Sequence, residues 1–311
     1  MRRWLLLLLG LLVVVSGAPG CTNKGEKAGT GGKLRVVATI FPVYDFARNV
    51  AGDRAEVTML LPPGMEPHSF EPRPEDIVRL HKADLFIYTN PAMEPWAAGL
   101  VKGAGAANLT VVDASRGARL LKTAGGDDHD GDHHGGIDPH LWLDFANARV
   151  MVANIAAALE ARDPANRGYY RANAAAYEAK LADLDERYRQ GLATCAKRTF
   201  LHGGHYAFGY LANRYGLHYE SAYAAGADAE PTPARLAELV KKIRQEGLKV
   251  IYTEELLDPR TAETIARETG ATVLMLNGAH TIGRDDLARG VTFLSLMERN
   301  LENLRVGLQC R

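Results

Sequence analysis

Four of the ten histidines stand where an imidazole can do chemistry: His68, His140, His205 and His280. Each lies just after a short apolar run or in a loop that enters an amphipathic stretch. A neutral imidazole is a good zinc ligand, and zinc takes four nitrogen, sulfur or oxygen donors in a tetrahedron. Separations of 72, 65 and 75 residues mean that only the fold can bring the four rings together. Spacing by itself is weak evidence, because a single loop histidine is most often an ordinary surface or hydrogen-bonded residue. Donor type narrows the metal. Three or four imidazoles suit zinc, manganese takes a larger share of oxygen donors, and copper and nickel also accept imidazole. Zinc therefore leads and manganese follows.

A second feature points the same way. Asp127-Asp128-His129-Asp130-Gly131-Asp132-His133-His134 is an acidic, histidine-rich tract just before His140. Such tracts bind metals by composition. It reads as a solvated loop with an auxiliary metal-binding role.

The elements that must position these residues alternate short apolar runs with longer amphipathic ones. Strands are expected near 34–39, 55–60, 84–88 and 109–112, with helices near 43–50, 74–81 and 95–101 between them. The second half repeats the pattern, with strands near 199–201, 217–221, 250–253 and 272–276 and helices near 206–215, 233–246, 259–269 and 284–305. Alternation of this kind builds βαβ units and parallel sheets. Open α/β sheets bind ligands beyond the carboxyl ends of their strands, where the four histidine loops would meet. Between the halves, Asp163 can cap a helix whose first residue is Pro164. Alanine, charged and aromatic residues then run without a breaker to Arg189, enough for a helix of about 40 Å at 1.5 Å per residue. The expected fold is α/β: two small βα lobes, 33–163 and 195–311, joined by a helix over 164–194.

The N-terminus sets the compartment. Arg2 and Arg3 precede an apolar run from Trp4 to Val15 broken only by Gly10, and small residues lead on to Cys21. That is the order of an export signal over residues 1–20, too short to span a bilayer comfortably. The residues before Cys21 resemble a bacterial lipobox, with Ala18 where leucine is usual. Lipidation at Cys21 is expected, and a soluble secreted form is the alternative. Residues 21–32 are polar and glycine-rich and read as a tether. Removing the leader leaves 35 basic and 37 acidic residues. A near-neutral chain without a basic stripe argues against nucleic-acid binding. Of three cysteines, Cys195 and Cys310 remain for the folded part. An exported chain with one available pairing favours a disulfide.

Longer stretches resemble a known family. Pro62-Pro63-Gly64-Met65-Glu66-Pro67-His68-Ser69-Phe70-Glu71-Pro72 resembles the first metal-ligand loop of the ZnuA/TroA-like solute-binding proteins of ABC transporters. Asp138-Pro139-His140-Leu141-Trp142-Leu143-Asp144 looks like the second and is the most specific. His205-Tyr206-Ala207-Phe208-Gly209-Tyr210-Leu211 with Arg214-Tyr215-Gly216-Leu217 is similar to the third, and Phe293-Leu294-Ser295-Leu296-Met297-Glu298-Arg299-Asn300-Leu301 resembles the closing helix. The resemblance implies two lobes joined by a rigid helix, metal held between them, a membrane permease as partner, and a monomer at the periplasm or outer face of the cytoplasmic membrane. It implies His68 and His140 as ligands from the first lobe and His205 from the second. The family's fourth ligand varies; His280 is the candidate here, with Glu254, Glu255, or Glu66 through water as alternatives. The tract at 127–134 resembles the metal-rich loop of zinc-transporting members.

Two other classes compete. Three histidines and an open position would suit a secreted zinc hydrolase. Against this, there is no His-Glu-x-x-His helix and no evident base beside a substrate pocket, and ligands from both lobes would bury the ion. A surface adhesin is the third reading. A binding protein, not an enzyme, is expected.

Overall fold

The computed structural model describes residues 32–122, 136–223, 231–255 and 258–311. The leader, most of the tether including Cys21, and the tract at 127–134 lie outside the described residues. Lys33–Arg311 form one compact unit. Among the described residues no helix is long and apolar enough to cross a membrane.

Each half is built on a four-stranded, all-parallel sheet. In the first, β1 (Leu34–Ala38), β2 (Ala55–Met59), β3 (Leu85–Tyr88) and β4 (Thr110–Asp113) lie in the order β2-β1-β3-β4. The crossovers carry α1 (Phe41–Ala51), α2 (Pro74–His81) and α3 (Ala97–Ala104). The second half repeats this order as β6-β5-β7-β8, from β5 (Thr199–His202), β6 (His218–Ser221), β7 (Val250–Thr253) and β8 (Thr272–Met275). Its crossovers are α6 (Gly209–Tyr215), α7 (Pro233–Glu246) and α8 (Arg260–Thr269). In both halves consecutive strands swap sides of the first-laid strand. The connections before and after it therefore diverge and leave a crevice at the carboxyl ends.

Three departures from the sequence expectations have physical causes. The first is α4 (Phe145–Arg162), which the sequence reading did not include. Asp144 caps it by accepting from Ala146 N–H at 2.8 Å, and it buries Phe145, Ala148, Val152, Ile155 and Leu159 against α1 and the linking helix. The second concerns the linking helix. Asp163 ends α4, a 3-10 turn covers Pro164–Asn166, and α5 runs Arg167–Ala193. The Asp163 carboxylate makes no cap; it takes Asn166 Nδ2 at 2.6 Å and the Tyr170 hydroxyl at 2.7 Å instead. The third is a break in the last helix. α9 (Arg284–Ala288) stops before Gly290, whose φ of 74° suits glycine, and Thr292 starts α10 (Phe293–Gly307) with a reciprocal capping box to Ser295.

The 27 residues of α5 span about 40 Å. Tyr170, Ala174, Tyr177, Leu181, Leu184, Tyr188 and Leu192 recur at three- and four-residue spacing and form its buried stripe. Tyr177 donates to Asp45 of α1 at 3.1 Å, and Tyr188 donates to the Met297 carbonyl of α10 at 2.6 Å. The helix is thus fixed to elements of both halves. A Cys195–Cys310 disulfide ties its C-terminal end to the end of the chain.

Candidate metal centre

The four histidines arrive at one place by different local routes. His68 lies in the loop after β2. That loop turns at Gly64 (φ 86°), and Gly64 N–H donates to the Ile282 carbonyl of the other half at 2.9 Å. Phe70 anchors it against Trp96, with ring centroids 5.1 Å apart. His140 precedes a 3-10 turn, Leu141–Leu143, wholly buried and leading into α4. His205 follows β5 through Gly203 and Gly204. A Cβ on Gly204 would collide with the Glu254 carboxylate and come within 2.7 Å of His202, so only glycine allows this approach. His280 follows β8 in a loop clamped by Trp142 Nε1, which donates to the Gly278 carbonyl at 2.8 Å.

One potential donor atom from each of His68, His140 and His205 lies within 4.8 Å of the other two, and the same holds for His205, Glu254 and His280. Nε2 of His205 is 3.1 Å from Nε2 of His140. Two nitrogens each about 2.0–2.1 Å from a zinc ion at the tetrahedral angle would be about 3.3 Å apart, so the pair is nearly at ligand spacing. The His280 ring is 5.1 Å from that of His205 and 6.3 Å from that of His140. His140, His205 and His280 are buried, and His68 is half-buried, which makes it the most accessible of the four. Its Nε2 is nevertheless buried without a hydrogen bond.

Carboxylates stand behind the rings. Asp138 Oδ1 accepts from His140 N–H at 3.0 Å and lies 2.9 Å from Nδ1. Glu254 Oε2 accepts from His205 N–H at 3.1 Å and lies 2.7 Å from Nδ1. A carboxylate on Nδ1 selects the tautomer whose Nε2 lone pair is free for metal. Glu254, weighed from sequence as a substitute ligand, is thus engaged as the partner of His205. Glu66 Oε1 accepts from His68 N–H at 3.1 Å. Glu255 is in neither donor set and lies behind His280.

Burial and the neighbouring rings hold His68 down to about 3, and burial holds His140 and His280 well below the ordinary imidazole value. At neutral pH these three are uncharged, as ligands must be. His205 differs. Burial pushes it down, but the hydrogen bond and charge of Glu254 outweigh this and raise it. Burial would raise Glu254, yet His205 draws it down to about 2. These shifts favour three neutral rings and an ion pair between His205 and Glu254. Burial also lifts Asp138 to about 7, and burial with the Glu254 charge lifts Glu255 to about 8.

Sequence reasoning missed the roles of Asp138, Glu254, Trp142 and His202. Asp138 was visible two residues before His140, and Glu254 at the end of an apolar run. His202 shows as the last residue of β5; its Nδ1 lies 3.3 Å from the His205 carbonyl under the third loop, and burial lowers it to about 4.

Residues 36–307 match the family model described as "ZnuA: Zinc-uptake complex component A periplasmic". The chain belongs to the ZnuA family. It is 34% identical over 315 residues to the high-affinity zinc uptake system protein ZnuA of Bacillus subtilis (strain 168), covering 99% of this chain and 98% of that protein. It is 35% identical over 312 residues to the zinc-binding lipoprotein AdcA of Streptococcus pneumoniae (strain R6), covering 98% of this chain but spanning only 61% of that longer relative. Among solved structures, the Zn(II)-bound ZnuA-like domain of Streptococcus pneumoniae AdcA superimposes with a TM-score of 0.76 at 35% identity, covering 89% of this chain and 99% of that one. ZnuA-family proteins are transport components, so the chain is a binding protein and not an enzyme.

Proposed function

We propose that the protein captures one zinc ion outside the cytoplasmic membrane through His68, His140, His205 and His280 and hands it to the permease of an ABC transporter. The observation that carries this is the convergence of imidazoles from both halves, with carboxylates behind the rings of His140 and His205. An all-imidazole shell favours zinc over manganese, in keeping with the zinc named for its relatives. His280 is the fourth ligand, because Glu254 is engaged with His205 and Glu255 belongs to neither group of converging donor atoms. A fourth imidazole also closes the shell and leaves no open position for the water that hydrolysis would need. Acylated Cys21 and the tether would keep the lobes, 33–163 and 195–311, beside the permease as a monomer.

Metal analysis of the purified mature protein, with zinc and manganese in competition, tests the reading. One tightly held equivalent of zinc is expected. Spread over four ligands, an apparent zinc affinity of ~10–16 kcal/mol assigns ~2.5–4 kcal/mol to each, so His140→Ala should weaken binding by roughly 10²–10³-fold. His280→Ala should cost less, since water can take the vacancy. Preferential retention of manganese, or wild-type zinc affinity in His140→Ala, would overturn the assignment.

A further inference from the structure

One pair of polar atoms beside the site faces each other without a hydrogen bond. The Glu255 side chain is 9% exposed and lies with its Oε1 4.0 Å from Nδ1 of His280, whose side chain is 2% exposed. Both atoms are buried and neither has a hydrogen-bond partner. The other Glu255 oxygen, Oε2, accepts from Gly278 N–H at 3.1 Å, which fixes the carboxylate to the loop that carries His280. Buried donors and acceptors are rarely left unmade, and a matched pair just outside bonding distance needs a reason.

The comparison within the site supplies one. Nδ1 of His140 has Asp138 at 2.9 Å and Nδ1 of His205 has Glu254 at 2.7 Å. The Glu255–His280 pair has the same components in the same order, but open. The loop between them also carries strain. Ala279 sits at φ 57°, a left-handed conformation unfavourable for alanine. Asn277 Oδ1 holds it there by accepting from Ala279 N–H at 2.8 Å. A cavity of about 340 Å³ borders Glu255, Asn277 and Ile282 and gives the carboxylate room to move.

We infer that Glu255 is the positioning residue of the fourth ligand: its free oxygen accepts a hydrogen bond from Nδ1–H of His280 when zinc occupies the other ring nitrogen. The inference rests on the reading of His280 as a ligand. Loading then closes the 4.0 Å gap to a hydrogen bond of about 2.8 Å and sets the ring plane. Glu255 does not touch the ion.

The test is a double-mutant cycle on zinc affinity, measured by chelator competition with the full mature protein. Glu255→Ala should lower affinity about 10–100-fold, the usual effect of losing a partner behind a metal-bound histidine. Glu255→Gln, whose amide oxygen can still accept, should recover most of it. In a His280→Ala background, Glu255→Ala should change affinity less than about threefold. Nitrogen NMR of the zinc-loaded protein should show His280 protonated at Nδ1 and metal-bound at Nε2, and should show Nδ1 lose its carboxylate signature in Glu255→Gln. Unchanged affinity in Glu255→Ala, or an equal loss with and without His280, would overturn the positioning role. If Glu255→Ala fails to fold, Glu255→Gln in both backgrounds and the NMR signature decide alone. His280→Ala with wild-type affinity would instead remove His280 as a ligand, a separate failure.

Discussion

Asp138 offers the cleanest measure of how much the site depends on residues that do not touch the ion. Its Oδ1 receives both the backbone N–H of His140, at 3.0 Å, and the ring Nδ1, at 2.9 Å. At pH 8, above the value of about 7 to which burial lifts Asp138, Asp138→Asn keeps an acceptor in place but removes the charge. A charged hydrogen bond contributes about 1.5–3 kcal/mol and a neutral one about 0.5–1.5, so the asparagine variant should lose ~1–1.5 kcal/mol, or roughly 5–12-fold in zinc affinity. Asp138→Ala removes the acceptor altogether and should cost more than the asparagine variant, within the roughly 10–100-fold usual for such partners and short of the loss in His140→Ala. Competition against a chromophoric zinc chelator measures both, and thermal unfolding of the zinc-free variants reports any separate loss of fold. The expected order is wild type, asparagine, alanine, then His140→Ala. Equal affinity in wild type and Asp138→Ala would refute the argument that the carboxylate sets the ring. So would an alanine variant as weak as His140→Ala, because the loop would then have lost the ligand itself.

Other expectations are as direct. The Glu254 partner raises His205 above the ordinary imidazole value and a zinc-bound ring is neutral, so loading near pH 6.5 should expel up to one proton there. In Glu254→Gln the ring loses its charge partner and is mostly neutral beforehand; calorimetry in buffers of different ionisation heat should show fewer protons released. If the variant releases as many as wild type, the proton does not reside on this pair. The Cys195–Cys310 bridge closes a separation of 115 residues, so replacing both cysteines by serine should lower stability by ~4–5 kcal/mol in denaturant titration. Finding both thiols free in exported protein by non-reducing peptide mapping would remove this expectation. Deleting 127–134 should leave the single tight site intact while lowering total zinc loading and uptake from scarce zinc; abolition of tight binding would put the tract in the primary site.

The parts of the fold legible in the sequence were those governed by local pattern. The β7 strand at Val250–Thr253 and the helices at Pro74–His81 and Pro233–Glu246 match their expected bounds, because each helix opens on proline and each strand is a short apolar run. The α4 helix was overlooked although Phe145, Ala148, Val152, Ile155 and Leu159 carry the period. Alanines on its other faces blur the contrast between buried and exposed positions. In the site, His140 and His205 were readable from their surrounding words, but their partners were not equally so. Asp138 is a neighbour in sequence, whereas Glu254 reaches His205 across 49 residues and only through the pairing of β5 with β7. The open Glu255–His280 pair has no local signature, since a separation of 25 residues and a 4.0 Å gap exist only in three dimensions.

The contacts between the halves indicate what release of zinc must involve. The first ligand loop bonds to the fourth through Gly64 and Ile282, and the second bonds to the fourth through Trp142 and Gly278. The helix after the third loop reaches the end of the second through Arg214 and Asp144, at 2.7 Å, and the same guanidinium grips Asp185 of the linking helix. Asp45 on α1 accepts from Phe293 N–H at the start of α10, at 3.1 Å, well inside the protein. Separating the halves as rigid bodies would break these links together and expose buried polar groups, each costing about 1–3 kcal/mol when left unpaired. A change confined to the 277–283 segment breaks two of these same links, Gly64–Ile282 and Trp142–Gly278, and the Asn277–Asn300 and Gly278–Glu255 bonds besides. That segment carries His280, holds the strained Ala279 and borders a cavity. Freeing His280 therefore gives up bonds between the halves that parting them would also break, so the two routes to an open site are not independent.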